Sequence, residues 1–253
     1  MCESCGQQLH HPPAPSRRKF VLGAAAIGLA FAGKADAKGK RKEKEDDDEE
    51  KKPPKPENVI SPDASLKRLM DGNARYVDGL ARRHDFKHER EALSGGQNPY
   101  AAILSCADSR IAPEYAFDTA RGDLFVCRIA GNFASDEMVA SLEYAVAVLN
   151  APLILVLGHD ACGAVDATIK SLKDNSTLPG HLPSLVTALT PAVKAVSQQG
   201  GDTLAKATRQ NVIDNVAKLK SATPILSAAV EQNKLKVAGG IYRLGNGRVD
   251  MIA

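Results

Sequence analysis

Leu153-Ile154-Leu155-Val156-Leu157-Gly158-His159-Asp160-Ala161-Cys162-Gly163 reads as a buried strand that runs into a tight turn and then a helix. Five consecutive apolar residues without polar alternation suit a strand covered on both faces, as in a parallel sheet. Gly158 and Gly163 permit a close turn. A helix beginning around Cys162 would offer that thiol unpaired backbone N–H groups and the positive end of its dipole, both of which favour thiolate. A second run, Ala101-Ala102-Ile103-Leu104, stops just short of Cys106-Ala107-Asp108-Ser109-Arg110. Both runs thus carry ligand-type side chains to the carboxyl ends of strands, where open α/β sheets build their sites.

Outward from these strands, the order of elements is that of an α/β domain. Ser61 and Pro62 suit the cap and first turn of a helix through Leu66, Leu69, Met70 and Tyr76. A short helix follows Pro113, a strand covers 123–129, and apolar residues at helical spacing mark a helix over 136–149. Two longer helices over 183–199 and 203–221 and another over 224–232 lead to a strand at 236–242. The turn at Asn246-Gly247 introduces an edge strand at 248–252. The expected fold is α/β, with a mostly parallel central sheet of four strands, an added edge strand, and flanking helices. Residues 82–90 read as a surface segment.

The N-terminal quarter is different in kind. Ser16-Arg17-Arg18-Lys19-Phe20 precedes an apolar stretch over 21–32 and then Ala35-Asp36-Ala37, a small-residue cleavage pattern. The paired arginines resemble a twin-arginine export signal, so residues 1–37 are expected to be a signal peptide cleaved after Ala37, with a periplasmic destination and the export machinery as partner. The apolar run is too short to span a bilayer, where about 20 residues are needed. Residues 38–57 are almost entirely Lys, Arg, Asp, Glu and Pro, a composition that cannot offset its ordering entropy and reads as a disordered linker. The domain proper is then 58–253. A net charge of +3, spread over leader, linker and domain, and an aromatic content of 4% give no nucleic-acid platform.

Of five cysteines, Cys2 and Cys5 form a Cys-x-x-Cys ahead of His10 and His11, either a metal site in the precursor or an incidental sequence removed later. Cys127 lies within an apolar strand and reads as a small core residue. Cys106 and Cys162 remain, and with His159 they make a two-thiolate, one-imidazole set suited by softness and charge to one zinc per subunit. Three protein ligands leave a fourth position open to water, the mark of a catalytic site. Asp108 lies between that metal and Arg110. In an extended segment Cys106, Asp108 and Arg110 would share one side of the chain. A guanidinium making two charge-assisted hydrogen bonds could hold the carboxylate off the metal, free to accept a proton.

Cys106-Ala107-Asp108-Ser109-Arg110 together with Gly158-His159-Asp160-Ala161-Cys162-Gly163 resembles the signature of the β-class carbonic anhydrases. The resemblance runs from about Ser61 to the C-terminus and takes in Gly122-Asp123-Leu124-Phe125-Val126, Arg128-Ile129-Ala130-Gly131-Asn132 and Ser141-Leu142-Glu143-Tyr144-Ala145-Val146. It implies zinc on Cys106, His159 and Cys162, an Asp108–Arg110 dyad, and hydration of carbon dioxide to bicarbonate by zinc-bound hydroxide. It also implies a homodimer or higher homo-oligomer with shared sites. Gln97, Phe125, Ala130, Tyr144 and Gly163 would form a substrate pocket like that of the plant-like branch, and the absence of tryptophan separates the chain from the branch that holds an inhibitory bicarbonate. Tyr144 would face a neighbour's zinc or, alternatively, its own core. Ile129 departs from the polar residue many relatives carry. His84 and His88 are either proton relays or solvated surface histidines, and His181 is read the same way. Two other functions use the same residues: hydrolysis of carbon disulfide or carbonyl sulfide, and a non-catalytic zinc-stabilised or redox-sensing protein in which Asp108 closes the metal.

Overall fold

The computed structural model describes residues 60–253, so the expected signal peptide, linker and leader cysteines lie outside the described residues. Helix α1 (Pro62–Val77) starts as its sequence predicts: the Ser61 hydroxyl accepts the Ala64 N–H at 3.2 Å, and Pro62 occupies the first turn. Helix α2 (Phe86–Leu93) lies in the expected surface segment, where the sequence pattern marks no helix. The Asp85 carboxylate caps it by accepting the His88 N–H at 3.1 Å, a signal hidden in a stretch whose charge reads as loop. Strand β1 (Ala101–Ser105), the single turn α3 (Pro113–Ala116), β2 (Leu124–Arg128) and α4 (Asp136–Ala147) follow. Then come β3 (Leu153–His159), α5 (Gly163–Lys173), α6 (Pro183–Val196), α7 (Thr203–Lys220) and α8 (Ile225–Glu231). Strands β4 (Lys236–Tyr242) and β5 (Val249–Met251) close the chain.

The sheet order is β2-β1-β3-β4-β5, with the first four strands parallel and β5 antiparallel to β4. Strand alternation sends Ala102, Leu104, Ile154 and Val156 to one face, against Leu142 of α4, Val212 and Val216 of α7 and Leu226 of α8. It sends Ile103, Leu153, Leu155 and Leu157 to the other, against Leu69 of α1 and Phe117. Burying each such side chain stabilises the fold by roughly 1.5–3 kcal/mol. Asn73 joins three distant pieces on that second face. Its amide donates to the Ala116 and Gly247 carbonyls, each at 2.8 Å, and its oxygen accepts the Val249 N–H at 2.9 Å. Among the described residues no helix is long and apolar enough to cross a membrane.

Candidate metal centre

Strands β1 and β3 pair with Ser105 opposite Leu157, so Cys106 emerges beside Gly158, one residue before His159. Gly158 has no alternative there, because a Cβ would stand 2.7 Å from Val212 Cγ2. The chain then turns through Ala161, whose φ is 50°, and Cys162 caps α5. The ligand atoms of Cys106, His159 and Cys162 all lie within 4.8 Å of one another, and all three residues are buried. His159 Nδ1 is 2.8 Å from the Asp160 carbonyl. A carbonyl only accepts, so Nδ1 carries the proton and Nε2 presents its lone pair inward, where it is buried without a protein partner. Two free thiols, an oriented imidazole and an orphaned ring nitrogen fit zinc, as the sequence predicted.

The thiols share their charge unequally. The Cys162 S–H beside Cys106 pulls the Cys106 thiol down to about 4, helped by His159 and by the Gly131 N–H, which donates to Cys106 Sγ at 3.3 Å. The charge on Cys106, followed by burial, pushes Cys162 up, although the Val165 and Ala164 amides favour its thiolate. The helix terminus favours thiolate at Cys162 as its sequence position predicts, but the neighbouring Cys106 acts on it in the opposite sense. Gly131 reaches the sulfur only with a φ of 86°, and a Cβ there would meet Leu189 Cδ1 at 2.8 Å.

The predicted dyad is formed, though not by strand alternation. The chain leaves β1 at Ser105 and has already turned, with the Arg110 N–H donating to Asp108 Oδ1 at 2.9 Å. The guanidinium then meets the carboxylate two-pronged, Nε to Oδ1 at 2.9 Å and Nη2 to Oδ2 at 2.6 Å. Arg110 holds the carboxyl well below the usual carboxylate range. Its Nη2 also donates to the Ala161 carbonyl at 3.3 Å, joining the two ligand-bearing turns. Asp108 Oδ2 lies only 3.9 Å from His159 Nε2, so this carboxylate stands at the edge of the metal position. One residue escaped sequence reasoning: Arg128 donates to the carbonyls of Cys106 and Asp108, at 2.9 and 2.7 Å. The signal was its place at the end of a strand parallel to the one that ends before Cys106.

Within one chain the remaining candidates do not all gather. Phe125 of β2 and Tyr144 of α4 lie together, ring centroids 6.2 Å apart, and Tyr144 is 46% exposed. That exposure removes the reading in which Tyr144 fills its own core. Gln97 is exposed and Ala130 half-buried. Among the described residues no hydrogen bond joins Gln97 or Tyr144 to the metal trio or the dyad. Gly163 borders open space beside Cys162. Cys127 is buried in the core as expected, where burial pushes its thiol up. His88 and His181 are exposed, but His84 is not simply solvated. It bonds Glu89 through Nδ1 at 3.1 Å and stacks on Phe86 in a cleft of about 640 Å3 lined also by Leu80 and Tyr115.

Residues 101–249 match the family profile described as carbonic anhydrase. A carbonic anhydrase of Mycolicibacterium smegmatis is 37% identical over 192 residues, which cover 76% of this chain and 93% of that protein. The solved structure of the β-carbonic anhydrase CcaA superposes with a TM-score of 0.57 at 28% identity, covering 74% of this chain and 98% of that one. A Coccomyxa β-carbonic anhydrase, solved with acetazolamide, gives 0.58 at 28% identity over 74% and 86% of the two chains.

Replacing Cys162 by Ser removes one soft ligand and leaves two. The variant should lose most of its zinc, measured by elemental analysis of the purified protein, while a full complement would defeat the ligand assignment.

Proposed function

The chain belongs to the β-carbonic anhydrase family, and on that premise we propose that Asp108 takes the proton released as water adds to carbon dioxide. The reaction is the reversible hydration of carbon dioxide to bicarbonate and a proton. One observation carries the assignment: Asp108 reaches to within 3.9 Å of His159 Nε2 while both its oxygens are held by Arg110. Zinc held by Cys106, His159 and Cys162 supplies a Lewis acid that brings the pKa of a bound water down toward neutrality from about 15.7. The chain's own residues do the rest. His159 is fixed by its bond to Asp160, Gly131 supports the Cys106 sulfur, and Arg110 keeps Asp108 ionised and turned from the trio. A carboxylate so engaged accepts a proton at an oxygen without becoming the fourth ligand, which also separates this site from a closed, purely structural one.

Asp108→Asn and Arg110→Ala should both retain zinc yet fail differently in stopped-flow hydration. The first leaves the metal accessible but slows turnover by roughly 10²–10⁴-fold through loss of the acceptor. The second frees the carboxylate to occupy the metal, so both hydration and inhibitor binding fall. Unaltered turnover in Asp108→Asn would refute the proton role.

The substrate pocket is read as that of the plant-like branch, with Gln97 as donor and Phe125, Ala130, Tyr144 and Gly163 as walls. These residues are completed across a homodimer or larger homo-oligomer. Support comes from the exposed Tyr144, which packs on Phe125 of β2, a strand whose outer edge pairs with no strand among the described residues. Sedimentation velocity at assay concentration should show at least a dimer; a fully active monomer would rule out shared sites.

The leader is read as a twin-arginine signal that delivers the enzyme to the periplasm. A folded, metal-loaded protein suits that route. Changing Arg17 and Arg18 together to Lys should leave the precursor in the cytoplasm, and unchanged periplasmic activity on fractionation would count against it.

A further inference from the structure

Four hydrogen bonds run from the end of β2 to the segment that carries the first ligand and the proton acceptor. Two come from one side chain: Arg128 Nε to the Cys106 carbonyl at 2.9 Å and Nη2 to the Asp108 carbonyl at 2.7 Å. The Ala107 N–H donates to the Ile129 carbonyl at 3.2 Å, and the Gly131 N–H to Cys106 Sγ at 3.3 Å. The three residues 106–108 have left β1 and belong to no helix; the Ile111 N–H closes the turn on the Asp108 carbonyl at 3.1 Å, and the neighbouring strand ties that turn to the sheet. Arg128 is the one charged donor among the four, and it grips the carbonyls on both sides of Ala107.

We propose that Arg128 is a positioning residue for Asp108, and that by fixing this backbone it keeps the carboxylate on Arg110 and off the metal trio. The proposal rests on Asp108 being the proton acceptor. The geometry leaves little tolerance: Oδ2 is 2.6 Å from Arg110 Nη2 and 3.9 Å from His159 Nε2. A shift of about 1 Å in the Asp108 backbone is enough to change partners, and displacements of that size cost about 10²-fold in rate where geometry is critical. Arg110 is a weaker guard on its own, because it lies two residues along the same turn and its one anchor outside that turn is the 3.3 Å bond to the Ala161 carbonyl. Arg128 belongs to a strand in register with β1, Ser105 opposite Arg128, and supplies the external reference.

The test uses Arg128→Met, Arg128→Lys, Asp108→Asn and the Arg128→Met/Asp108→Asn double variant, each loaded with zinc and separately with cobalt. Thiocyanate binding is read from the visible spectrum of the cobalt protein, and hydrogen exchange at residues 107–110 in the metal-free protein. Arg128→Met should keep its metal, exchange faster at 107–110, lose about 10²-fold in kcat, and bind thiocyanate at least about tenfold more weakly because Asp108 competes for the metal. Arg128→Lys, which retains the charge but lacks the rigid fork that spans the two carbonyls, should show a smaller loss of the same kind and decides the matter if the Met variant does not fold. In the Asp108→Asn background, Arg128→Met should no longer weaken thiocyanate binding. The proposal is overturned if Arg128→Met, or the Lys variant in its place, binds thiocyanate as wild type does, or if the same factor is lost when Asp108→Asn is also present. Failure of the proton-acceptor reading shows separately, as undiminished hydration by Asp108→Asn.

Discussion

The parallel pairing of β1 with β3 is the constraint on which the rest of the structure depends. Two neighbouring strands that point the same way end at the same edge, and with Ser105 opposite Leu157 the residue leaving β1 is level with the residue that precedes His159. That register alone brings Cys106 within a few ångströms of a histidine and cysteine more than fifty positions along the chain. A shift of one residue would turn Cys106 to the opposite face of the sheet. The register is held by apolar residues fully buried on both faces, and Gly158 lets α7 close over the strand at the point where the ligands emerge.

Charge decides what such a register can support. Two thiols in a dry site tolerate one negative charge readily and a second only with compensation, which is why Cys106 is pulled down and Cys162 pushed up by the same contact. A divalent cation removes that conflict. Asp108 then adds a third negative group at the rim, and Arg110 balances it. Arg110 and a cation held by the trio would both attract the carboxylate. Geometry rather than net charge must select between them. The two-pronged match of guanidinium to carboxylate, the Asx-type bond from the Arg110 N–H and the grip of Arg128 on the backbone all favour the same side.

Much of this was legible in the sequence because it depends on local pattern. Unbroken apolar runs gave β1 and β3, Ser61-Pro62 gave the start of α1, and Asn246-Gly247 gave the turn into β5. The metal trio was readable because the soft ligands sit where those runs stop. What escaped depends on contacts between distant segments or on short signals against a charged background. Helix α2 hides among Arg, His, Lys and Glu, and only the Asp85 cap declares it. The opposed shifts of the two thiols depend on their closeness in space, which no spacing in the chain encodes. Arg128 was visible as a residue but not as a brace, because its role follows from pairing β2 with β1, and strand order within a sheet is not written locally.

Strand β2 therefore serves two purposes, and alternation is what keeps them apart. Phe125 and Cys127 face the α4 side, where Phe125 meets Tyr144 beside the sheet's open edge. Leu124 and Val126 pack toward α1, and Arg128, which follows in the same phase, swings across the end of β1 to the Cys106 and Asp108 carbonyls. An edge strand whose last residue holds the Cys106 and Asp108 carbonyls ties the rim of the sheet to the geometry of the site. Anything that displaces β2 along its axis moves the carbonyl grip by the same amount. The position of that edge strand therefore bears directly on whether Asp108 stays on Arg110.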